Sequence, residues 1–302
     1  MDLANIWSKQ NIMWIILALS AMLMWGVSDV LYKASMKEES RFTIYVANSI
    51  IYGLFGIIYA HITTFDFKFV FDFNVFLMIL PLGMIRLIST SFYTKAMTYT
   101  YSSIASPIMS STTVLTTPLG IIFLNEKLTI PQLICVIILG SCIVSIALIK
   151  KNSHTENNNL HHFRGVLFSI YYLLSVSTMY FFAKLYVNTY NSRILVYYYS
   201  IGAIGSMISF LIFTGKWRKV KPSTVKNKIK ALLAIGTNMG GYILYVSALE
   251  INSISTVQPI VFSYSIVVLI LSNFFLKEHL SLKQNIIMVI MIACITVLSS
   301  RT

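Results

Sequence analysis

Long apolar runs with almost no charge inside them set the terms for this chain. Reading between charged or turn-rich breaks gives ten, approximately Met13–Tyr32, Phe42–Ala60, Val75–Thr94, Ser102–Leu124, Pro131–Ile149, Gly165–Val187, Ile194–Phe213, Lys230–Leu249, Ile254–Leu276 and Lys283–Ser299. Each approaches the roughly 20 apolar residues that carry a helix across a bilayer. Only 11% of the 302 residues are charged and 57% are hydrophobic. Soluble domains carry about 25% charged residues, so this chain cannot cover a wetted surface. A soluble globule, a disordered chain and a fibrous repeat are excluded. The expected fold is an all-α polytopic membrane protein, multi-pass in the cell membrane. Met1 to Gln10 shows no small-residue cleavage site, so the first run reads as a retained span.

The net charge of +13 would suggest nucleic acid in a soluble protein. Here the cations sit mostly between apolar runs, where they orient helices and meet anionic head groups. The expected partners are therefore membrane lipids of anionic type and a small-molecule substrate, with no nucleic acid. Joints one, three, five, seven and nine gather most of them, including Lys216, Arg218, Lys219, Lys221, Lys226 and Lys228. Positive charge favours the cytoplasmic side, which would leave both termini outside. Cys135, Cys142 and Cys294 lie inside apolar runs and read as packing. No cofactor and no metal are expected. His154, His161 and His162 fall in the most polar stretch, Lys150 to Arg164, and read as part of a solvated linker.

The sequence repeats itself. A shift of 152 aligns FLNEKLTIPQ (Phe123 to Gln132) with FLKEHLSLKQ (Phe275 to Gln284). Without a gap, Tyr93, Ala96, Ser103, Pro107, Ile108, Ser111, Leu119 and Glu126 meet identical residues, as do Ser40, Arg41 and Tyr45. Shared greasiness does not explain the polar identities; duplication does. The expected organisation is a first five-helix repeat over 1–150, a polar linker over 151–164 and a second repeat over 165–302. Five crossings is an odd number, so the second unit must lie inverted. Inverted repeats closed around a central cavity are a recurring plan of secondary transporters, because the two halves supply two similar states, one open to each side.

WGVSDVLYK (Trp25 to Lys33), the stretch from Ala96 to Gln132 and its echo from Ala248 to Gln284 resemble the EamA-like branch of the drug/metabolite transporter superfamily, ten-helix type. That resemblance implies a ten-helix basket with a central cavity that carries small metabolites by proton or substrate exchange, with both termini cytoplasmic. The chain departs from the pattern at Asn125 and Lys277, where glycine is usual before the turn's Glu, and at Asp29, where the family is generally apolar.

Ionisable groups within spans point to a site, since a mid-membrane charge costs about 2.5–3.5 kcal/mol even on the lenient insertion scale. Arg86 lies near the middle of span three, and Thr90 and Tyr93 follow on the same helical face. Their counterparts at 152 are Asn238, Tyr242 and Tyr245. The two stripes are the expected substrate lining, joined by Trp25 of span one and Tyr180, the 152 counterpart of Ser28. Alternatively Arg86 snorkels and the tyrosines fill interhelical gaps. Asp29 stands four residues before Lys33, the spacing of a helical ion pair; in the functional alternative it pairs with Arg86 and takes up a proton during the cycle. Pro107 and Pro259 read as hinges or as fixed kinks. Glu126 and Glu278 read as caps of the following helices.

The leading expectation is a secondary transporter of small polar or amphipathic metabolites such as amino acids or amines, working by alternating access. It is not an enzyme: the sequence has no His-Glu-x-x-His, nucleophile elbow or paired intramembrane aspartates. A lipid-carrier flippase of the same superfamily is the alternative, followed by a channel or intramembrane enzyme. Without a Gly-x4-Gly-Lys-Ser/Thr loop, ATP does not drive this chain directly.

Overall fold

The computed structural model describes residues 3–36, 40–63, 72–124, 129–148, 156–220, 224–277 and 281–299. Among them every regular element is helical: α1 (Leu3–Met36), α2 (Arg41–Thr63), α3 (Phe73–Tyr99), α4 (Ser102–Ser110), α5 (Thr113–Leu124), α6 (Ile130–Leu148), α7 (Glu156–Tyr190), α8 (Ser192–Thr214), α9 (Val225–Ile251), α10 (Ile254–Phe262), α11 (Tyr264–Leu271) and α12 (Leu282–Ser299). Among the described residues seven stretches are long and apolar enough to cross a membrane. They are Met13–Met36, Arg41–Thr63, Phe73–Tyr99, Ser102–Leu124, Leu160–Tyr190, Ser192–Thr214 and Val225–Ile251. Ile260–Leu276 and Asn285–Cys294 are shorter apolar helical stretches. Large apolar side chains such as Ile58, Met84, Ile122 and Phe213 stand exposed on the outer faces, the arrangement that lipid favours and water does not.

Fourth and ninth runs are each broken at the same register. Ser111 (φ −73°, ψ 20°) parts α4 from α5, and Ser263 (φ −67°, ψ 3°) parts α10 from α11. In the first case the hydroxyls of Ser110 and Ser111 both bond the Pro107 carbonyl, at 3.0 and 2.8 Å, taking over an acceptor the backbone ladder would use. A π-helical turn, Ser272–Leu276, then ends at Lys277, whose φ of 54° closes the helix in left-handed geometry. Glu126 and Glu278, expected as caps, lie outside the described residues.

The helices pack with an exchange symmetry. Helix α1 lies on α9 as α7 lies on α3, and α2 lies on α9 as α8 lies on α3; α1 meets α10 and α11 as α7 meets α4 and α5. Each of these helices touches, in the other half, the counterpart of the helix that its own counterpart touches. The direction is legible in the ring contacts between α2 and α8. Tyr45 meets Phe210 (6.2 Å between ring centres), Tyr52 meets Tyr199 (6.2 Å) and His61 meets Tyr197 (5.4 Å). Residue numbers rise along one helix as they fall along the other, so these counterpart helices run antiparallel. Glycines let α8 close on its neighbours: a methyl on Gly56 of α2 would fall 2.0 Å from the Ser200 hydroxyl, and one on Gly83 of α3 would fall 2.4 Å from the Gly202 carbonyl carbon.

The polar stretch read as a solvated linker is helical from Glu156 onward, as an extension of α7. Contacts with the end of α3 account for it. His162 is buried and hydrogen-bonds Thr100 through Nδ1 at 2.9 Å, and the His161 ring stacks on Tyr99 at 5.6 Å. His154 lies outside the described residues. Among the described residues no group of His, Cys, Asp and Glu could hold a metal.

Candidate functional site

Arg86 sits on α3 between Met84 and Ile88, which are 53% and 51% exposed, yet is itself only 6% exposed. Helical geometry turns it inward, and snorkelling is thereby ruled out. Its Nη2 donates to the side-chain oxygens of Asn48 (3.3 Å) and Asn238 (3.0 Å), and the guanidinium lies over the Tyr52 ring at 4.2 Å. Its Nε has no hydrogen-bond partner. Among the described residues no carboxylate pairs with it.

Asp29 is 3% exposed and accepts hydrogen bonds from the Tyr93 hydroxyl (2.7 Å) and from Ser106. Neither expected ion pair forms. Lys33 is drawn instead to the end of α3, where its Nζ donates to the carbonyls of Met97 and, at 2.5 Å, Thr100. A cation there meets the negative end of the helix dipole. Asp29 finds neutral donors on α3 and α4 closer than any cation.

Both charges line one small cavity, together with Trp25, Tyr32, Asn48, Tyr52, Thr90, Tyr93, Tyr172, Tyr180, Asn238, Phe262 and Tyr264. Only about 20 Å3 is open to the centres of water molecules, room for a water or two at about 10–15 Å3 each. The walls have therefore closed on one another. Trp25 donates from Nε1 to the Asn238 carbonyl (2.9 Å) and stacks near Tyr180 at 5.9 Å. A methyl on Gly241 would fall 2.5 Å from the Trp25 ring, so the absent side chain is what admits the indole.

The stripe Arg86, Thr90 and Tyr93 faces this cavity, as do Asn238, Trp25, Tyr180 and Asp29. Tyr242 and Tyr245 stand one layer behind. Tyr242 packs on Tyr199 (4.9 Å) and Tyr52 (6.2 Å), with its hydroxyl unpartnered; Tyr245 packs on Tyr180 (5.0 Å) and bonds Gln258. Tyr52 and Trp25 fill the space in front of them. Pro107 is buried in α4, four residues before the break at Ser111. Pro259 holds the same place in α10 before Ser263; its side chain lies outside the described residues. Asn48, Tyr52, Tyr172, Phe262 and Tyr264 were not reached from sequence. A search for ionisable groups passes over a neutral amide, although Asn48 is a lone amide within an apolar run.

The lysine contact also corrects the register of the first helices. Lys184 donates to the carbonyls of Leu249 (2.6 Å) and Asn252 (2.9 Å) as Lys33 does to Met97 and Thr100. Those acceptors are related by the shift of 152, but the lysines stand 151 apart. Within α1 and α7 the counterpart of Asp29 is therefore Tyr180, and Tyr180 no longer answers Ser28. Arg86 and Asn238, by contrast, are 152 apart and touch each other. Two counterparts can meet only at the symmetry axis, so the axis passes through this hydrogen bond.

The model of the EamA-like transporter family matches residues 12–149 and again residues 163–300. This chain belongs to the EamA-like transporter family. It is an integral membrane protein, and the family is one of transporters rather than enzymes. No curated protein matches the chain. A solved structure titled only "Crystal structure of protein" is similar to it with a TM-score of 0.64 over 95% of each chain at 12% identity, a likeness of fold alone.

Proposed function

We propose that this EamA-like chain is a secondary transporter of the cell membrane whose ten crossings form two inverted five-helix repeats, and that it carries small zwitterionic or amphipathic metabolites such as amino acids. The observation that carries this reading is the Arg86–Asn238 contact on the symmetry axis. A buried guanidinium held by two amide oxygens, with a free Nε and no counter-ion among the described residues, is short of one anion. A buried cation without a paired charge is costly, and a substrate carboxylate entering the cavity relieves that cost. Asp29, across the same cavity, suits an ammonium or a proton; Trp25, Tyr180 and Phe262 offer apolar faces to the body of the ligand. The closed cavity has no room for such a ligand, so binding requires the walls to part. Breaks at Ser111 and Ser263 are where paired segments can bend.

The test is a thermal-shift screen of amino acids, amines and other small metabolites on the detergent-purified chain. A ligand that binds only the folded state at about 100 times its Kd stabilises by roughly 2.7 kcal/mol. A carboxylate-bearing ligand should raise Tm in the wild type and leave Arg86→Ala unmoved. Equal stabilisation of both proteins would place the ligand elsewhere. In liposomes the same ligand should show saturable counterflow; flux linear in concentration would mean a channel.

A further inference from the structure

A groove of about 620 Å3 opens on the outside of the bundle, away from the central cavity. Three helix ends build it: the first turns of α2 (Arg41, Phe42, Tyr45), the last turns of α3 (Leu87 to Lys95), and the end of α8 with the 3-10 turn that follows it (Phe210, Lys216, Lys219). It holds four cations and, among the described residues, no carboxylate. Arg41 donates to the Tyr99 hydroxyl at 3.2 Å, Lys95 lies 5.0 Å from the Phe168 ring centre, and Lys216 lies 5.2 Å from that of Phe210. Neutral hydroxyls and ring faces hold these cations in place without cancelling their charge. Glu38 and Glu39 lie outside the described residues, but 23 basic against 10 acidic residues leaves most cations of this chain without an internal counter-ion.

The groove is two-toned along α3. Lys95 and Thr94 lie toward the helix end, with Ser91 and Phe92 next; one turn deeper come Leu87 and the half-exposed Ile88. A molecule seated here meets cations and hydroxyls at the helix ends and aliphatic surface toward the middle of the bilayer. That order is the order of an anionic phospholipid: phosphate first, acyl chain beneath. Its counterpart at the opposite ends of the helices, beside Arg193, has a different character. There Glu250 accepts from the Ser192 hydroxyl at 2.5 Å, and a serine, Ser247, replaces Lys95. The repeat supplies the shape twice and the fourfold positive charge once.

We propose that the groove between α2, α3 and α8 is a binding site for the head group of an anionic phospholipid, with Arg41, Lys95, Lys216 and Lys219 as its phosphate ligands. Juxtamembrane cations each strengthen binding to anionic lipid several-fold, so removing two should weaken the site by roughly tenfold or more. Native mass spectrometry of the full-length chain in detergent, titrated with phosphatidylglycerol, reads this directly. Wild type should retain one phosphatidylglycerol that Lys216→Gln/Lys219→Gln loses. The control Lys226→Gln/Lys228→Gln removes the same charge from the nearby, exposed start of α9, outside the groove, and should retain it. Loss in both double variants would mean diffuse attraction and overturn the site. Equal retention of phosphatidylcholine would overturn its anionic character, and equal retention of glycerol phosphate would make it a soluble-anion site instead. The carrier reading is untouched by any of these outcomes.

Discussion

Asp29 accepts from two hydroxyls, Tyr93 and Ser106, and an amide in its place can keep both contacts, one as acceptor and one as donor. Asp29→Asn should therefore fold, and its thermal midpoint should stay close to wild type. It removes the carboxyl that lines the cavity, so uptake into proteoliposomes should lose its dependence on pH. Uptake that follows the wild-type pH profile would remove Asp29 from the cycle. At Arg86 the geometry separates charge from shape. Lysine keeps the charge but, as a point donor on a flexible stem, cannot reproduce a planar fork. Arg86→Lys should retain part of the ligand-induced Tm shift, and Arg86→Ala none. Inward-facing charge was readable from sequence because Arg86, Thr90 and Tyr93 share a helical face; the partners of that charge were not. Asp29 and Lys33 have the spacing of an ion pair, yet each finds a better partner on α3 that no local rule foresees.

At the scale of elements, close glycine contacts and helix-end lysines carry the sharpest expectations. A methyl on Gly83 meets backbone atoms of Gly202 and Ala203 at 2.4 to 2.8 Å, which cannot move without parting α3 from α8. Gly83→Ala should cost about 1–3 kcal/mol, as overpacking generally does, and lower the Tm measured in detergent. Gly205→Ala, with nothing within 4 Å of the new methyl, is its neutral control. Lys184 is buried and bonds two carbonyls at the end of α9. Hydrogen bonds to charged groups are worth about 1.5–3 kcal/mol, so Lys184→Met should destabilise by a comparable amount in the same assay. The duplication itself was legible from identities such as Tyr93 with Tyr245 and Pro107 with Pro259. A slip of one residue in the first helix was not, because α1 and α7 share too few residues to fix the register; the two lysines fix it in three dimensions. The linker misled for a related reason: its composition is polar, but His161 and His162 find contacts on α3 that draw it into a helix.

For the whole molecule, the two ends of the bundle differ in charge. Arg41, Lys95, Lys216 and Lys219 gather at one end; Arg193 and Glu250 face each other's neighbourhood at the other. Positive charge favours the cytoplasmic side. A cysteine at Lys219 should then react with an impermeant thiol reagent only after the cells are opened, and one at Asn191 should react in intact cells. The three native cysteines are buried and should give a low background. The reverse pattern would place the termini in the cytoplasm, as the family resemblance implies.

The architecture is shared between the halves, but its ionic vocabulary is not. Asp29 and Arg86 both belong to the first repeat, and their counterparts, Tyr180 and Asn238, are neutral. One half thus sets the charge of the cavity, while the other supplies an amide and aromatic walls. Substitutions at Asp29 or Arg86 change the charge inside the cavity, whereas those in the later half change its shape and, at Asn238, the hold on Arg86.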